Sequence, residues 1–400
     1  MFLHLLKPIW KRKSRNLMLS LEILLAFLVV FAVVAIAGRY YQLAQLPIGF
    51  HYESVWSVGL QIPDDKSMKS DTAIYDKLER SLEALAEVEQ VAFASFPPYQ
   101  RSTWNSEFYL PDSGVSTESD MMEVSDDFFA VTGMSIEQGR WFSAADEGAA
   151  ELPVVINRTM AEAMFPGGHA VGKVISDNEP GSKNRKLLKI TGVFNTFRNQ
   201  GEFMTPTHFV FVRFSPQSSE QGVKTLLLKL KPGTPRLFEA KLSQQLKRVR
   251  NDWGYQVSPL SDLRRNLLRE LATPLVVLAV IAAFLLTMVA FGLFGVLWQN
   301  TTQRIPEIGL RRAIGANTGN IYRQIITEQL LLSTLAMLVG LALLVQLPIT
   351  GAFGEHLNWP LFLVAAAVSM AVLYLLSTLC ALYPAWRASR LSPTEALHYE

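Results

Sequence analysis

One cysteine, Cys380, stands in 400 residues. Within this sequence that excludes an intrachain disulfide and a cysteine-rich metal centre. Charge of one sign is missing too. Against 37 Lys+Arg stand 35 Asp+Glu, a formal net charge of +2, so no global basic field argues for nucleic acid as a partner. Six histidines, His4, His51, His169, His208, His356 and His398, are scattered, with no metal-ligand spacing to carboxylates or to the cysteine. That is the pattern of surface and turn histidines rather than of ligands. No serine sits in a Gly-x-Ser-x-Gly elbow, and no paired carboxylates stand out for acid and base work. The expectation is a non-catalytic chain that binds no cofactor or metal of its own.

A nucleotide motif is present only in outline. Gly167-Gly168-His169-Ala170-Val171-Gly172-Lys173-Val174 has the glycine and lysine spacing of a phosphate-binding loop. Val174, however, replaces the hydroxyl that would hold magnesium, and no strand leads directly in. Val174-Ile175 itself reads as a strand, not as a helix whose amides could cradle phosphate. A turn before a strand is expected there, so ATP and Mg belong to a separate polypeptide.

What the sequence has is apolar length. It is 50% hydrophobic with mean hydropathy +0.20, too apolar for an ordinary soluble protein and too polar to lie wholly in a membrane. Four segments, 17–38, 272–298, 325–347 and 361–383, are long enough to cross roughly 30 Å of hydrocarbon at roughly 1.5 Å per residue. Lys7, Lys11, Arg12, Lys13 and Arg15 precede the first. Arg304, Arg311, Arg312 and Arg323 lie between the second and third, and Arg387 and Arg390 follow the fourth, whereas 348–360 has no Lys or Arg. The positive-inside rule then makes 1–16, 299–324 and 384–400 cytoplasmic, with 39–271 and 348–360 outside. The small residues Ala35-Ile36-Ala37 resemble a signal-peptide cleavage site, but the apolar stretch before them is too long for one, so 17–38 is expected to remain as an anchor.

The outside segment turns polar, with turn clusters at Pro63-Asp64-Asp65, Pro97-Pro98 and Glu179-Pro180-Gly181-Ser182, and can bury a core of its own. Apolar alternation over 55–62, a helical pattern at Ile74, Leu78, Leu82 and Leu85, and a strand over 91–96 make one β-α-β unit. A second comprises a strand over 225–230, a break at Pro232-Gly233-Thr234-Pro235, a helix over 238–249 and a short strand at Gln256-Val257. Two such units with a long insert predict a split ferredoxin-like layer, with about 98–222 forming an inserted lobe. The fold class is thus an α-helical membrane protein with four transmembrane helices plus a large α+β extracytoplasmic domain.

The most informative segment joins the second and third apolar runs: Gln303-Arg304-Ile305-Pro306-Glu307-Ile308-Gly309-Leu310-Arg311-Arg312-Ala313-Ile314-Gly315-Ala316. Pro306 suits the first turn of a helix, and Glu307 complements its positive end. A short helix on the membrane follows, with Ile308, Ala313 and Leu310 or Ile314 toward lipid and neighbouring helices, and Glu307, Arg311 and Arg312 toward a partner. Topology alone would need the basic charge but not the glycines at 309 and 315. Two carboxylates, Glu22 and Glu328, fall inside apolar spans, where ionisable groups are costly. Each lies within a turn or two of the cytoplasmic end, where snorkelling or pairing with Arg15 or Gln324 relieves the cost.

That loop resembles the signature between the second and third helices of MacB-type, FtsX-like ABC transporter permeases. The resemblance continues, in order, through Val124-Ser125-Asp126-Asp127-Phe128-Phe129, Gly139-Arg140-Trp141-Phe142-Ser143, Val154-Val155-Ile156-Asn157, Phe165-Pro166, Val171-Gly172-Lys173 and Ile190-Thr191-Gly192-Val193. The tail Tyr383-Pro384-Ala385-Trp386-Arg387-Ala388-Ser389-Arg390-Leu391-Ser392-Pro393-Thr394-Glu395-Ala396-Leu397 resembles the family's C-terminal motif. The resemblance implies a permease subunit of the bacterial inner membrane that pairs with a second permease chain, as homodimer or heterodimer. It also implies a separate ABC ATPase docked on Arg304, Glu307, Ile308, Gly309, Leu310, Arg311, Arg312, Ala313, Gly315 and Ala316. ATP-driven closure would then move the outside domain, of porter-plus-Sabre type, to export a peptide, toxin or antibiotic. In Gram-negative relatives a periplasmic adaptor and an outer-membrane channel join in. Regulation of a cell-wall hydrolase, as in FtsX, and lipoprotein release are the alternatives. This sequence departs from fused MacB-type proteins in containing no ATPase domain.

Overall fold

The computed structural model describes residues 13–390 apart from 64–71, 102, 113, 184, 218–222, 315–316 and 352–356, and leaves the side chains of 13–16, 300, 307, 311–313 and 388–390 undescribed. The chain divides into two compact units, Leu43–Glu270 and the pair Met1–Gln42 with Leu271–Glu400.

In the unit Leu43–Glu270, strand β1 (Val55–Gln61), helix α2 (Ala73–Glu83) and strand β2 (Val88–Ala94) make the first β-α-β unit. Strand β10 (Thr225–Leu230), helix α5 (Phe238–Val249) and strand β11 (Gly254–Pro259) make the second. The strands order as β11-β1-β10-β2, all antiparallel, the topology of a split βαβ layer. Both helices turn an apolar stripe to one face of this layer. Ile74, Leu78 and Leu82 of α2 meet Phe238, Leu242 and Leu246 of α5 over Trp56, Val58, Leu226 and Leu228.

Between β2 and β10 the chain inserts β3 (Trp104–Tyr109), β4 (Ser116–Val124), α3 (Phe128–Thr132), β5 (Ile136–Gly139), β6 (Leu152–Asn157), α4 (Arg158–Met164), β7 (Val174–Ser176), β8 (Leu187–Phe194) and β9 (Phe209–Arg213). The sheet runs on into them through the pair Ala94↔Val124 and then the parallel β4–β9 ladder. Val154, Ile156, Met160, Ile175, Leu188, Ile190 and Val210 form a separate core.

The other unit is helical. Four helices are long and apolar enough to cross a membrane: α1 (Lys13–Ala44), α6 (Leu260–Gln303), α8 (Thr318–Leu344) and α10 (Trp359–Arg390), with the short α7 (Ile305–Ala313) and α9 (Gln346–Thr350) between them. They extend beyond the apolar runs read from the sequence. Helix formation needs only backbone bonds and tolerable propensity, so polar flanks such as the start of α6 continue it. Ile23, Phe27 and Phe31 of α1 pack with Val289 and Leu293 of α6, Ala336 and Met337 of α8, and Phe362 and Ala365 of α10. Small residues set the closest approaches. A Cβ at Gly340 would lie 2.6 Å from Phe27 Cδ1, and one at Gly292 would lie 2.6 Å from Glu22 Oε2. Polar groups link α8 to α10: the Ser333 and Ser377 hydroxyls are 2.9 Å apart, and those of Thr334 and Tyr374 are 2.8 Å apart.

Candidate coupling site

The site begins where α6 stops. Pro306 has no N–H to give the Thr302 carbonyl, and its ring would strike that carbonyl in a continuing helix. The chain therefore breaks at Arg304, whose N–H donates to Thr301 O at 3.2 Å, and restarts as α7 with Ile308 N–H donating to Arg304 O at 2.9 Å. Thr301 and Thr302 turn their hydroxyls back onto the Leu297 and Trp298 carbonyls, one turn earlier in α6. Helix α8 starts on Asn317, whose side chain accepts from the Gly319 N–H, the usual end group for an orphan donor.

Packing and charge then fix α7 in place. Ile308, 6% exposed, inserts among Leu297 of α6, Ile321 and Ile325 of α8, and Ala381 and Ala385 of α10. Arg304 reaches across the turn, its NH1 2.7 Å from Glu328 Oε2 on α8, while Gln324 Nε2 donates to Glu328 Oε1 at 3.0 Å. The pair is largely shielded, with side chains 24% and 17% exposed. Both carboxylate oxygens are thus engaged, which a charge in such surroundings requires. Beside it, Phe294, Trp298, Tyr383 and Trp386 stack in sequence, and the Arg387 guanidinium lies 4.4 Å from the Trp298 ring centroid.

Of the residues expected to couple to an ATPase, Arg304, Ile308 and Gly309 are drawn inward, and Leu310 is 60% exposed. The side chains of Glu307, Arg311, Arg312 and Ala313, and the whole of Gly315 and Ala316, lie outside the described residues. Ile314, one of two alternatives read as facing lipid or neighbouring helices, is 78% exposed. Glu328 joins this site through Arg304, a partner the sequence reading did not assign to it. Glu22 does not join it. Its Oε2 is buried against Gly292 with no hydrogen-bond partner among the described residues, and Arg15, the partner expected for it, has no described side chain. Sequence reasoning also missed Arg387 against Trp298. The signal lay in the aromatic and basic spacing of Tyr383, Trp386 and Arg387 after an apolar run.

Two family models match this chain. The MacB-like periplasmic core domain covers residues 21–245, and the FtsX-like permease C-terminal domain covers 279–393, which contains the whole site just described. The ABC transporter permease YknZ of Bacillus subtilis is 25% identical over 71% of this chain and 71% of its own length. YvrN, another ABC transporter permease of the same organism, is 24% identical over 98% of each chain. The macrolide export ATP-binding/permease protein MacB of Bdellovibrio bacteriovorus is 25% identical over 76% of this chain, which spans 45% of that protein's length.

Proposed function

The chain belongs to the MacB-like, FtsX-like family of ABC transporter permeases, and from that premise we propose that it transmits mechanical work. A separate ABC ATPase, binding ATP and Mg, docks on the 304–316 segment, and its closure moves the large outside domain to export a peptide, toxin or antibiotic. The basic residues flanking α1, α7 and α10 support a cytoplasmic setting for both termini and α7, at the inner membrane. The permease works as a dimer, with a periplasmic adaptor and an outer-membrane channel as further partners where a second membrane is present.

The observation that carries this reading is the Arg304–Glu328 pair at 2.7 Å. It pins the turn that leads into α7 to α8, so a push on α7 is delivered to a membrane helix rather than absorbed by a slack loop. Reversing Arg311→Glu and Arg312→Glu together should abolish stimulation of the copurifying ATPase while the chain still inserts. Unchanged transport in that double variant would remove the loop from the mechanism.

The match to the FtsX-like model supports a second reading, in which the outside domain activates a cell-wall hydrolase. A peptidoglycan hydrolase encoded beside this chain favours it, and an adaptor gene favours export. Lipoproteins copurifying with the outside domain would point instead to lipoprotein release.

A further inference from the structure

The chain passes between its two units at residues 42/43 and 270/271. Within the unit Leu43–Glu270, the flanks of both crossings bond to the same short segment, residues 196–204. Arg198 is its centre, wholly buried and the largest such side chain among the described residues. Its NH1 donates to the carbonyls of Leu43 and Leu46, each at 3.0 Å, at and just beyond the last turn of α1. Its Nε and NH2 donate to Met204 O at 3.0 and 2.7 Å, and NH2 also donates to Glu202 O. Carbonyls at a helix C-terminus have no partner within the helix and carry its negative end. A planar guanidinium can satisfy several such carbonyls in fixed directions, which an ammonium cannot.

Contacts on either side hold the segment to the same flank. Arg198 N–H donates to Ile48 O at 2.9 Å. Gly49 lies so close that a Cβ there, at φ +90, would sit 1.9 Å from Thr196 O. Phe197 roots the segment in the domain, its ring 5.1 Å from that of Phe50 and 5.0 Å from those of Phe209 and Phe211.

The other crossing is held by Glu202. Its Oε1 accepts from Arg264 Nε, near the start of α6, at 2.6 Å. The Arg264 guanidinium also lies 5.0 Å from the Tyr52 ring centroid, and Tyr52 meets Tyr99 edge-on at 5.7 Å. Tyr99 N–H in turn donates to Asn199 O at 2.6 Å. Tyr99 is the one non-glycine residue of positive φ, at 65, among those described. Such a conformation persists only where its surroundings over-determine it. Farther along, Gln200 Nε2 donates to Arg101 O, and Arg101 pairs with Glu270.

We propose that residues 196–204 form a clasp that fastens the end of α1 and the start of α6 to one another through Arg198 and Glu202, so that both crossings move together when the permease is driven. Arg198 and Glu202 are then positioning residues, and their role in coupling rests on the function proposed above. The clasp itself does not, because its bonds all lie within one unit.

The test uses the full chain with Cys380→Ala, spin-labelled at the exposed positions Gln45→Cys and Asn266→Cys. The unsubstituted clasp should give one narrow distance distribution. Glu202→Ala and, separately, Arg198→Gln should each widen it about twofold, and the pair should be non-additive because the two residues share one network. Arg198→Lys should fail to restore it, whereas the charge swap Glu202→Arg with Arg264→Glu should. Hydrogen exchange in the β1–β10 ladder reports whether a variant has lost the fold. Should Arg198→Gln lose it, Glu202→Ala and the swap decide the matter alone. An unchanged distribution in folded Glu202→Ala overturns the clasp. A widened distribution with undiminished stimulation of the copurifying ATPase overturns the positioning role. If the unsubstituted protein stimulates no ATPase, the functional reading fails, and the distance distributions still decide the clasp.

Discussion

Arg304 and Glu328 stand 24 residues apart in the chain, yet their side chains meet at 2.7 Å, joining the break between α6 and α7 to α8. Removing one member leaves the other charge shielded from water and unpaired. Glu328→Ala should destabilise the helical unit by about 2–3 kcal/mol, somewhat less than for a fully buried pair because both side chains keep some solvent contact. The double variant Arg304→Ala/Glu328→Ala should cost less than either single one. Thermal unfolding in detergent micelles measures this, and additive losses would show that the two residues act independently.

Gly340 should tolerate no side chain. An alanine Cβ there would lie 2.6 Å from Phe27 Cδ1 and 3.0 Å from Leu24 Cδ1, and Phe27 is fully buried. Gly340→Ala should lower stability by about 1–3 kcal/mol through forced repacking of α1 on α8. Gly295, also within a membrane helix, has nothing within 4 Å of the place a Cβ would take. Gly295→Ala should therefore be neutral or gain up to about 1 kcal/mol from helix propensity. Equal effects at the two sites would contradict this packing.

Asn157 ties three elements together. Its Oδ1 accepts from Met160 N–H at the start of α4 and from Phe209 N–H of β9, each at 3.1 Å, and its Nδ2 donates to Thr207 O at 2.7 Å. Asn157→Ala should cost about 2–3 kcal/mol, as a helix cap and two further buried bonds are lost together. Asn157→Asp keeps the acceptor but sets a carboxylate against the Thr207 carbonyl, and should fall between the two. Urea titration of the outside unit within the full chain reads both.

Stability should carry two opposite pH signatures. Burial first, then the carboxylates of Asp127, Glu83 and Asp76, push Glu79 up to about 7. Its folded state holds the proton more tightly than the unfolded chain does. The stability it contributes is complete below the unfolded value of about 4.3 and is lost as pH rises through about 7. Asp146 runs the other way. The Arg140 guanidinium holds it down at about 2, so its contribution is present above the unfolded value of about 3.9 and is lost as pH falls toward about 2. Glu79→Gln should flatten the alkaline decline in Tm, and Asp146→Asn should flatten the acid one. A Tm profile of Glu79→Gln parallel to that of the unsubstituted protein between pH 5 and 8 would contradict the assignment.

The apolar runs and the two β-α-β patterns were legible because burial leaves a period in the sequence, and one turn of helix or one pleat suffices to set it. The strands Val88–Ala94 and Gly254–Pro259 start earlier than the patterns over 91–96 and 256–257 suggested, since ladder pairing recruits flanking residues such as Gln90, opposite Lys229, and Tyr255, opposite Leu60. Long-range pairings left no such trace. Nothing in the spacing of Glu328 distinguishes Arg304 from any other nearby cation, and Arg198 sits in a polar turn with no hint of burial. The motif Gly139-Arg140-Trp141-Phe142-Ser143 was visible only as a resemblance, and its reasons are physical. At Gly139, φ is +74 and a Cβ would lie 2.2 Å from Thr191 O. Trp141 donates its indole N–H to Asp126 O at 2.9 Å and stacks on Phe128, so two motifs distant in sequence are halves of one packed corner.

The hydroxyl pairs Ser333–Ser377 and Thr334–Tyr374 have a mechanical corollary. Hydrocarbon offers no substitute for such bonds, so sliding α10 along α8 would strand polar groups among acyl chains. The seam between α8 and α10 is thus keyed in register by polar bonds, while α1 is keyed to α8 by shape, its Phe27 ring seated in the notch that Gly340 leaves.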